Sequence, residues 1–433
     1  MALHVMAEAE RCLGCKKPRC QQGCPIHTDI PEVIRLLKAG KLNDAGWKLF
    51  ENNPLTTVCS IVCNHENQCE GHCVQGIKGA PVHFSVIENY ISTTYANQMT
   101  AGPAPSNGRR AAVIGAGPSG LTIAIILARY GYKMTIFDTR DKIGGVMRYG
   151  IPDFRLPDAV LDDFAYRHLE LKGIQFRPNT HIGTALTIDD LFNDGYQSIF
   201  VGAGLWKPRR LHIRGESLGH VSYAINYLSS PEAYRLGKRV MVIGVGNAAM
   251  DCARTAIRSG AHYVTCVSRT EEIKASKYES SYAKLEGVEF LLNKCTIEIR
   301  DDGVILADSE VDENGRVSAK KGTEKLYPCD SVIIAVSQEA ESNLVTTTKG
   351  IDTGKTGLLS VDSDGHTSRP GVFAAGDAVN GARTVVEAVA NGKKVAEAMH
   401  QYMQTLPLPV TTDYPDVPVV DFAEAQAMSE QLI

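Results

Sequence analysis

AAVIGAGPSGLTIAIILARYGYKMTIFD, residues 111–138, carries an apolar run, a glycine-rich turn, a helical stretch and a second apolar run in immediate succession. Ala111–Ile114 predicts a buried strand, and Gly115-Ala116-Gly117-Pro118-Ser119-Gly120 opens a helix predicted to reach about Tyr130. The strand predicted over Lys133–Phe137 ends at Asp138, 18 residues after Gly120. Glycines at these positions let backbone approach a pyrophosphate, the helix N-terminus stabilises its charge, and the acidic residue can bind ribose hydroxyls. A glycine turn needed only for packing is the plainer reading. The strand, the helix and Asp138 together favour a dinucleotide site.

A second unit of the same kind begins at Arg239. Strand Val240–Ile243 leads into Gly244-Val245-Gly246-Asn247-Ala248-Ala249, then a helix over Ala248–Arg258 and a strand over His262–Val267. Alanine can replace the third glycine, whose task is close helix–strand packing. Where the adenosine ribose would be read stand Ser268, Arg269 and Thr270, with Lys274 and Lys277 nearby. An arginine there suits the 2′-phosphate of NADPH, whereas Glu271 and Glu272 keep NADH possible. Near the C-terminus, Pro370–Asp377 (PGVFAAGD) predicts a strand breaking at Gly376-Asp377, followed by a helix over Thr384–Gly392.

Eight of the twelve cysteines lie within the first 73 residues, as Cys12, Cys15, Cys20 and Cys24, then Cys59, Cys63, Cys69 and Cys73. Disulfides would call for an oxidising compartment, yet the opening MALHVMAEAERCLGC has neither basic n-region nor apolar h-region, so no signal peptide is expected. Zinc prefers two short pairs separated by a longer spacer. Runs of four cysteines, the first followed by Pro25, fit two 4Fe–4S clusters, in which the last cysteine of a run often serves the other cluster. The later Cys252, Cys266, Cys295 and Cys329 form no C-x-x-C pair, which argues against a redox-active dithiol.

The 433 residues carry a net charge of −4 and no apolar stretch long enough to span a bilayer, so neither a nucleic-acid partner nor a membrane span is expected. A cytoplasmic enzyme of two to three domains fits that composition.

With these motifs in view, the chain resembles the glutamate synthase small-subunit family, which includes the flavin part of dihydropyrimidine dehydrogenases and the large subunit of bifurcating ferredoxin:NADP oxidoreductases. RCLGCKKPRCQQGCP, NNPLTTVCSIVC, IGGVMRYGIPDFRLP, VMVIGVGNAAMDCART and GVFAAGDAVNGARTVVEAVANGKKVAEA carry the resemblance, which covers roughly residues 8 to 403. It implies an α/β fold: two nested Rossmann-like, glutathione-reductase-type nucleotide-binding domains preceded by an α-helical two-cluster iron–sulfur domain. The implied division is an iron–sulfur domain over 1–97, a linker over 98–110, FAD-binding segments over 111–236 and 339–405, an NAD(P)H-binding segment over 237–338, and a tail over 406–433.

The same resemblance implies a crossed ligand set. One cluster takes Cys12, Cys15, Cys20 and Cys73; the other takes Cys24, Cys63, Cys69 and Glu88. Cys59 is left as a buried thiol, and the plainer reading of Glu88 is an exposed helix carboxylate. FAD is expected to meet Gly115, Gly117, Ser119, Gly120, Asp138, Gly145, Arg148, Ile151, Gly376 and Asp377, with Thr384, Val385 and Val386 near its ring. The nicotinamide cofactor is expected at Gly244, Gly246, Asn247 and Arg269. Hydride transfer from NADPH, or NADH, to FAD and single-electron passage through the clusters to a larger catalytic subunit or other electron-accepting protein would follow. The alternatives are the NAD(P)H-oxidising flavin subunit of a dihydropyrimidine dehydrogenase-type or electron-bifurcating ferredoxin:NADP oxidoreductase complex and, further, a stand-alone diaphorase.

Overall fold

In the computed structural model, residues 4–98, 102–341 and 343–408 are described. Most of the tail expected over 406–433 therefore lies outside the described residues.

The Arg110–Ile114 strand is buried from Ala111 onward and sits at the middle of a parallel sheet. Lys133–Phe137 pairs on one side, Arg110 opposite Lys133, and Ser198–Val201 pairs on the other. Gln175–Arg177 and Val372–Ala374 complete the two edges, the latter setting Phe373 opposite Phe200. The fifth strand thus returns from near the C-terminus after the chain has built a second sheet. An all-parallel sheet needs crossovers that cover its faces, which is why its three central strands are buried almost throughout and do not alternate.

The second sheet is also parallel, in the order Val221–Tyr223, Ser331–Ile334, Arg239–Ile243, Tyr263–Val267, Glu289–Leu291. Beside it stands an antiparallel sheet of Lys294–Arg300, Gly303–Val311, Val317–Ala319 and Lys325–Pro328, which the motif reading did not anticipate. Its signal was the polar–apolar alternation in KCTIEIR, although a β-bulge between Thr296 and Glu298 shifts the register partway along the strand.

The helix expected to stop at Gly392 instead runs over Val385–Thr405. Thr384 and Glu387 form a reciprocal capping box at its start. Gly392 does not end it because the glycine serves a helix–helix contact. A Cβ there would come 3.1 Å from the Ser119 carbonyl oxygen on the Pro118–Arg129 helix. The Ser119 hydroxyl also donates to the Ala388 carbonyl at 3.0 Å, so the first glycine turn and the C-terminal helix are locked together.

At the N-terminal end, Ile30–Lys38 carries Pro in its first turn and buries Ile30, Val33, Ile34, Leu36 and Leu37. Leu42–Asn52 and Phe84–Gln98 pack against it, and Thr56–Val62 packs on Phe84–Gln98, with most of the cysteines on helix ends and loops between. Among the described residues, no helix is long and apolar enough to cross a membrane.

Candidate functional site

One cavity of about 660 Å³ gathers most of the residues singled out from the sequence. Gly115, Gly117, Ser119, Asp138, Gly145, Ile151, Gly376, Asp377, Thr384 and Val385 line it, joined by Asn247 from the second glycine unit. Its volume falls in the range of cofactor sites.

Gly115 has φ +102°, and a Cβ on it would lie 2.3 Å from the Gly202 carbonyl oxygen, so the turn requires glycine. Gly117 caps the Pro118–Arg129 helix with no side chain serving the cap, and a Cβ there would meet nothing within 4 Å. Bare first-turn N–H groups facing an open cavity are what a pyrophosphate needs. Gly120 works behind the turn: a Cβ would sit 2.0 Å from the Gly115 carbonyl oxygen, and the residue does not line the cavity.

Asp138 braces this loop, its carboxylate accepting from the Ala116 N–H at 2.6 Å and the Arg140 N–H at 2.8 Å. Burial raises its pKa while those two donors oppose the rise. Asp377 lies in the opposite wall, where burial pushes its carboxyl up to about 6. A glycine cradle, an uncapped helix and two half-buried carboxylates fit the FAD implied above.

The second unit repeats the geometry. Gly244 has φ +136° and a Cβ would lie 2.3 Å from the Ala335 carbonyl oxygen; Gly246 caps the Asn247–Arg258 helix without a side-chain partner. Asn247 Oδ1 accepts from the Ser276 N–H at 2.9 Å. Asn247, Ala248 and Asp251 reach the shared cavity, while Gly244, Gly246 and Arg269 lie outside its lining. Arg269 is exposed and has no ion pair among the described residues.

Three expected flavin contacts lie outside the cavity's lining: Gly120, which works behind the turn, Arg148 and Val386. Arg148 does not line the cavity: its guanidinium is buried against Asp158 at 3.2 Å and Asp162 at 2.7 Å, and Nε donates to the Ile143 carbonyl. It holds the Gly144-Gly145 turn from behind. Val386 turns into the hydrophobic core instead of the cavity, since successive helix residues point about 100° apart and Val385 takes the cavity side.

Cys12, Cys20, Cys69 and Cys73 pack against the core of the N-terminal helices, and Cys24, Cys59 and Cys63 against the larger core that includes the first sheet. Cys12, Cys15, Cys20 and Cys73 line a small cavity; Cys73, Cys12 and Cys15 all act electrostatically on Cys20, whose thiol burial pushes up to about 11. Cys63 neighbours Cys59, Glu88 and Cys69, and its thiol is held well above the usual range by the Cys59 hydrogen bond and by burial. Cys69 faces Glu88 and Cys24 electrostatically, but it also borders the first cavity. Glu88 is 6% exposed, not the exposed helix carboxylate of the plainer reading. Burial raises it to about 7, and the Thr56 hydroxyl donates to it at 2.7 Å.

No group of three or more His, Cys, Asp or Glu among the described residues is close enough for a single metal ion. Cys12, Cys15, Cys20 and Cys73 instead surround a space, with Arg19 in its wall, as ligands of a multi-iron cluster would.

Sequence reasoning passed over Val62 and Asn64, which line the cavity from the end of the Thr56–Val62 helix. Asn64 Oδ1 is buried with no hydrogen-bond partner. It also gave Asp251 no role, yet Asp251 lines the cavity beside Arg155. No signal in the sequence points to Val62 and Asn64 beyond their position on either side of Cys63, which itself gives no direction.

Comparison with known proteins agrees with this geometry. Residues 2–100 match the family described as dihydropyrimidine dehydrogenase domain II, 4Fe–4S cluster. Residues 184–392 match the pyridine nucleotide-disulphide oxidoreductase family, and 113–162 match an NAD(P)-binding Rossmann-like domain. The glutamate synthase (NADPH) small chain of Escherichia coli is 33% identical, over 92% of this chain and 91% of that one. The NAD-dependent dihydropyrimidine dehydrogenase subunit PreT of Salmonella typhimurium is 31% identical over 93% and 95%. Among solved structures, FprA of Mycobacterium tuberculosis in complex with NADPH shares the fold, with TM-score 0.59 and 17% identity over 70% of this chain and 85% of that one. With an iron–sulfur domain joined to two dinucleotide-binding units, and a glutamate synthase small chain alike over nearly its whole length, this chain belongs to the glutamate synthase small-chain family of NAD(P)H-dependent flavin and iron–sulfur oxidoreductases.

Proposed function

We propose that this chain takes electrons from NADPH at FAD and delivers them singly, through two 4Fe–4S clusters, to a larger partner subunit, most like a glutamate synthase small chain. The observation that carries the proposal is the placement of Val62 and Asn64. They flank Cys63 and line the same cavity as Gly117 and Asn247. Flavin, nicotinamide and one cluster would therefore meet around one space. The group of Cys12, Cys15, Cys20 and Cys73 lines a separate cavity, beneath a loop that exposes Leu13. Electrons would leave there.

Bound FAD would supply the conversion from hydride chemistry to single electrons. The chain's own residues bind and orient. Gly117 and the Pro118–Arg129 helix terminus hold the pyrophosphate, Asp377 faces the flavin's sugar-like arm, and the Thr384-Val385 backbone lies by the ring. Cys24, Cys63, Cys69 and Glu88 hold the nearer cluster, leaving Cys59 as a thiol. Arg269, free of competing carboxylates, reads the 2′-phosphate and favours NADPH. A second reading, the flavin subunit of a dihydropyrimidine dehydrogenase-type complex, is favoured by the PreT relative, which matches over 95% of its length.

Anaerobic purification of the tagged protein from its host, with mass spectrometry of what accompanies it, tests this. A stoichiometric larger partner is expected, and its identity separates the two readings. Fully loaded cofactors with no partner would replace the subunit with a stand-alone diaphorase.

A further inference from the structure

We infer that Lys393 raises the reduction potential of the cluster that Cys24 serves, acting through a directional hydrogen-bond relay. The inference rests on the proposed placement of a cluster at Cys24. Lys393 stands on the Val385–Thr405 helix, and its Nζ donates to Asn52 Oδ1 at 2.5 Å. Asn52 ends the Leu42–Asn52 helix and donates from Nδ2 to Thr28 Oγ1 at 3.1 Å and to the Ile26 carbonyl at 3.3 Å. Thr28 Oγ1 in turn lies 3.4 Å from Cys24 Sγ.

Donors and acceptors fit in only one direction. Lysine can only donate, so Asn52 presents its oxygen to it and spends its NH₂ on Thr28 and Ile26. Thr28, accepting from Asn52, keeps its own proton for sulfur. A cluster-bound Cys24 is a thiolate and can only accept, which fixes the last step as hydroxyl to sulfur. Each donor in such a chain is polarised by the one before it, so the ammonium charge is felt at the sulfur.

A reduced cluster is one electron more negative. Hydrogen bonds to its sulfurs and a nearby cation stabilise that state and raise the potential. Glu51 faces Lys393 too, but Arg129 lies 3.9 Å from that carboxylate and offsets it. The helix bearing Lys393 begins at the flavin cavity, where Thr384, Val385 and Ala388 line the wall. One rigid element therefore carries both the flavin's neighbours and the cation that favours its electron acceptor. Lys393 is a positioning residue in this sense, acting through Asn52 and Thr28.

The test is an anaerobic redox titration of the full-length holoprotein followed by electron paramagnetic resonance, with iron and flavin counted. Lys393→Met and Thr28→Val are each expected to lower the same one of the two cluster potentials and leave the other in place; Lys393→Arg should restore it. Full iron content with both potentials unmoved in the two variants would overturn the inference alone. Should Lys393→Met lose iron, an unmoved potential in Thr28→Val still overturns it. A wild-type protein with no iron–sulfur signal would instead overturn the proposed function beneath it.

Discussion

Arg155 Nη1 lies 2.9 and 2.8 Å from the two carboxylate oxygens of Asp251, joining the loop after the first glycine unit to the helix of the second. Arg155 Nη2 also meets Glu279 at 2.8 Å, and Arg254 ties Glu279 to Glu286. This network borders the shared cavity, so the relation between the two nucleotide units depends on buried charges. Burial pushes Asp251 up to about 6 although Arg155 opposes the rise.

Arg155→Met is expected to cost about 3–5 kcal/mol, because it leaves a buried carboxylate without its main partner. The double variant with Asp251→Leu should recover part of that loss, and denaturant titration of all three proteins measures it. An Asp with a raised folded pKa stabilises most when protonated. Its contribution is therefore full below its ordinary 3.8 and lost as pH rises to about 6. Equal stability of Arg155→Met and wild type would show that the network contributes nothing.

His168 should make the junction between the iron–sulfur helices and the flavin unit acid-sensitive. Its ring stacks on Phe50 at 5.0 Å, and burial pulls its pKa down from 6.5 to about 4. Between those values the unfolded chain binds a proton that the folded chain does not. Stability therefore falls as pH drops from 6.5 to 4, by on the order of 3 kcal/mol over the window. His168→Phe should flatten that slope in a pH series of thermal melts. An unchanged slope would place the acid sensitivity elsewhere.

Glu88 and Cys59 both stand beside Cys63, so the fourth ligand of that group is decided by metal content. Glu88→Ala is expected to lose up to one cluster's iron, whereas Cys59→Ala should keep both clusters. Iron analysis of anaerobically purified variants checks this. Loss of iron only in Cys59→Ala would exchange the two roles.

Much of this site was legible because nucleotide binding needs particular backbone at particular spacing. Gly115, Gly117, Gly244 and Gly246 announce their turns from sequence alone, and the cysteine runs announce clusters. What could not be read was side-chain direction. Arg148 and Arg155 stand seven residues apart in one motif, yet Arg148 turns back onto Asp158 and Asp162 while Arg155 faces the cavity. Gly392 looked like a helix stop because nothing local reveals that Ser119 and Thr122 press against it. Val62 and Asn64 have no chemical signature; their place at the cavity comes wholly from how the Thr56–Val62 helix docks.

Gly115→Ala should abolish flavin binding. The new methyl would sit 2.3 Å from backbone at Gly202, and φ +102° is strained for any side chain. Both the strand end and the cavity wall must shift to relieve the clash. The expected product is a colour-poor protein that lacks flavin absorbance yet keeps its iron, since the cysteines lie on other elements. Normal flavin loading would mean that the cradle is softer than its geometry implies.

Arg269 is where cofactor preference should be adjustable. It is exposed at the end of the Tyr263–Val267 strand, and no carboxylate among the described residues pairs with it. A hydrogen bond to a charged group contributes about 1.5–3 kcal/mol. Arg269→Ala should therefore raise KM for NADPH roughly ten- to hundredfold. NADH, which lacks the 2′-phosphate, should be used as before, so the ratio of kcat/KM values for the two cofactors shifts by the same factor. Steady-state dye reduction with each cofactor measures it directly. Parallel losses for both would mean that Arg269 supports the strand end and that the 2′-phosphate is not read there.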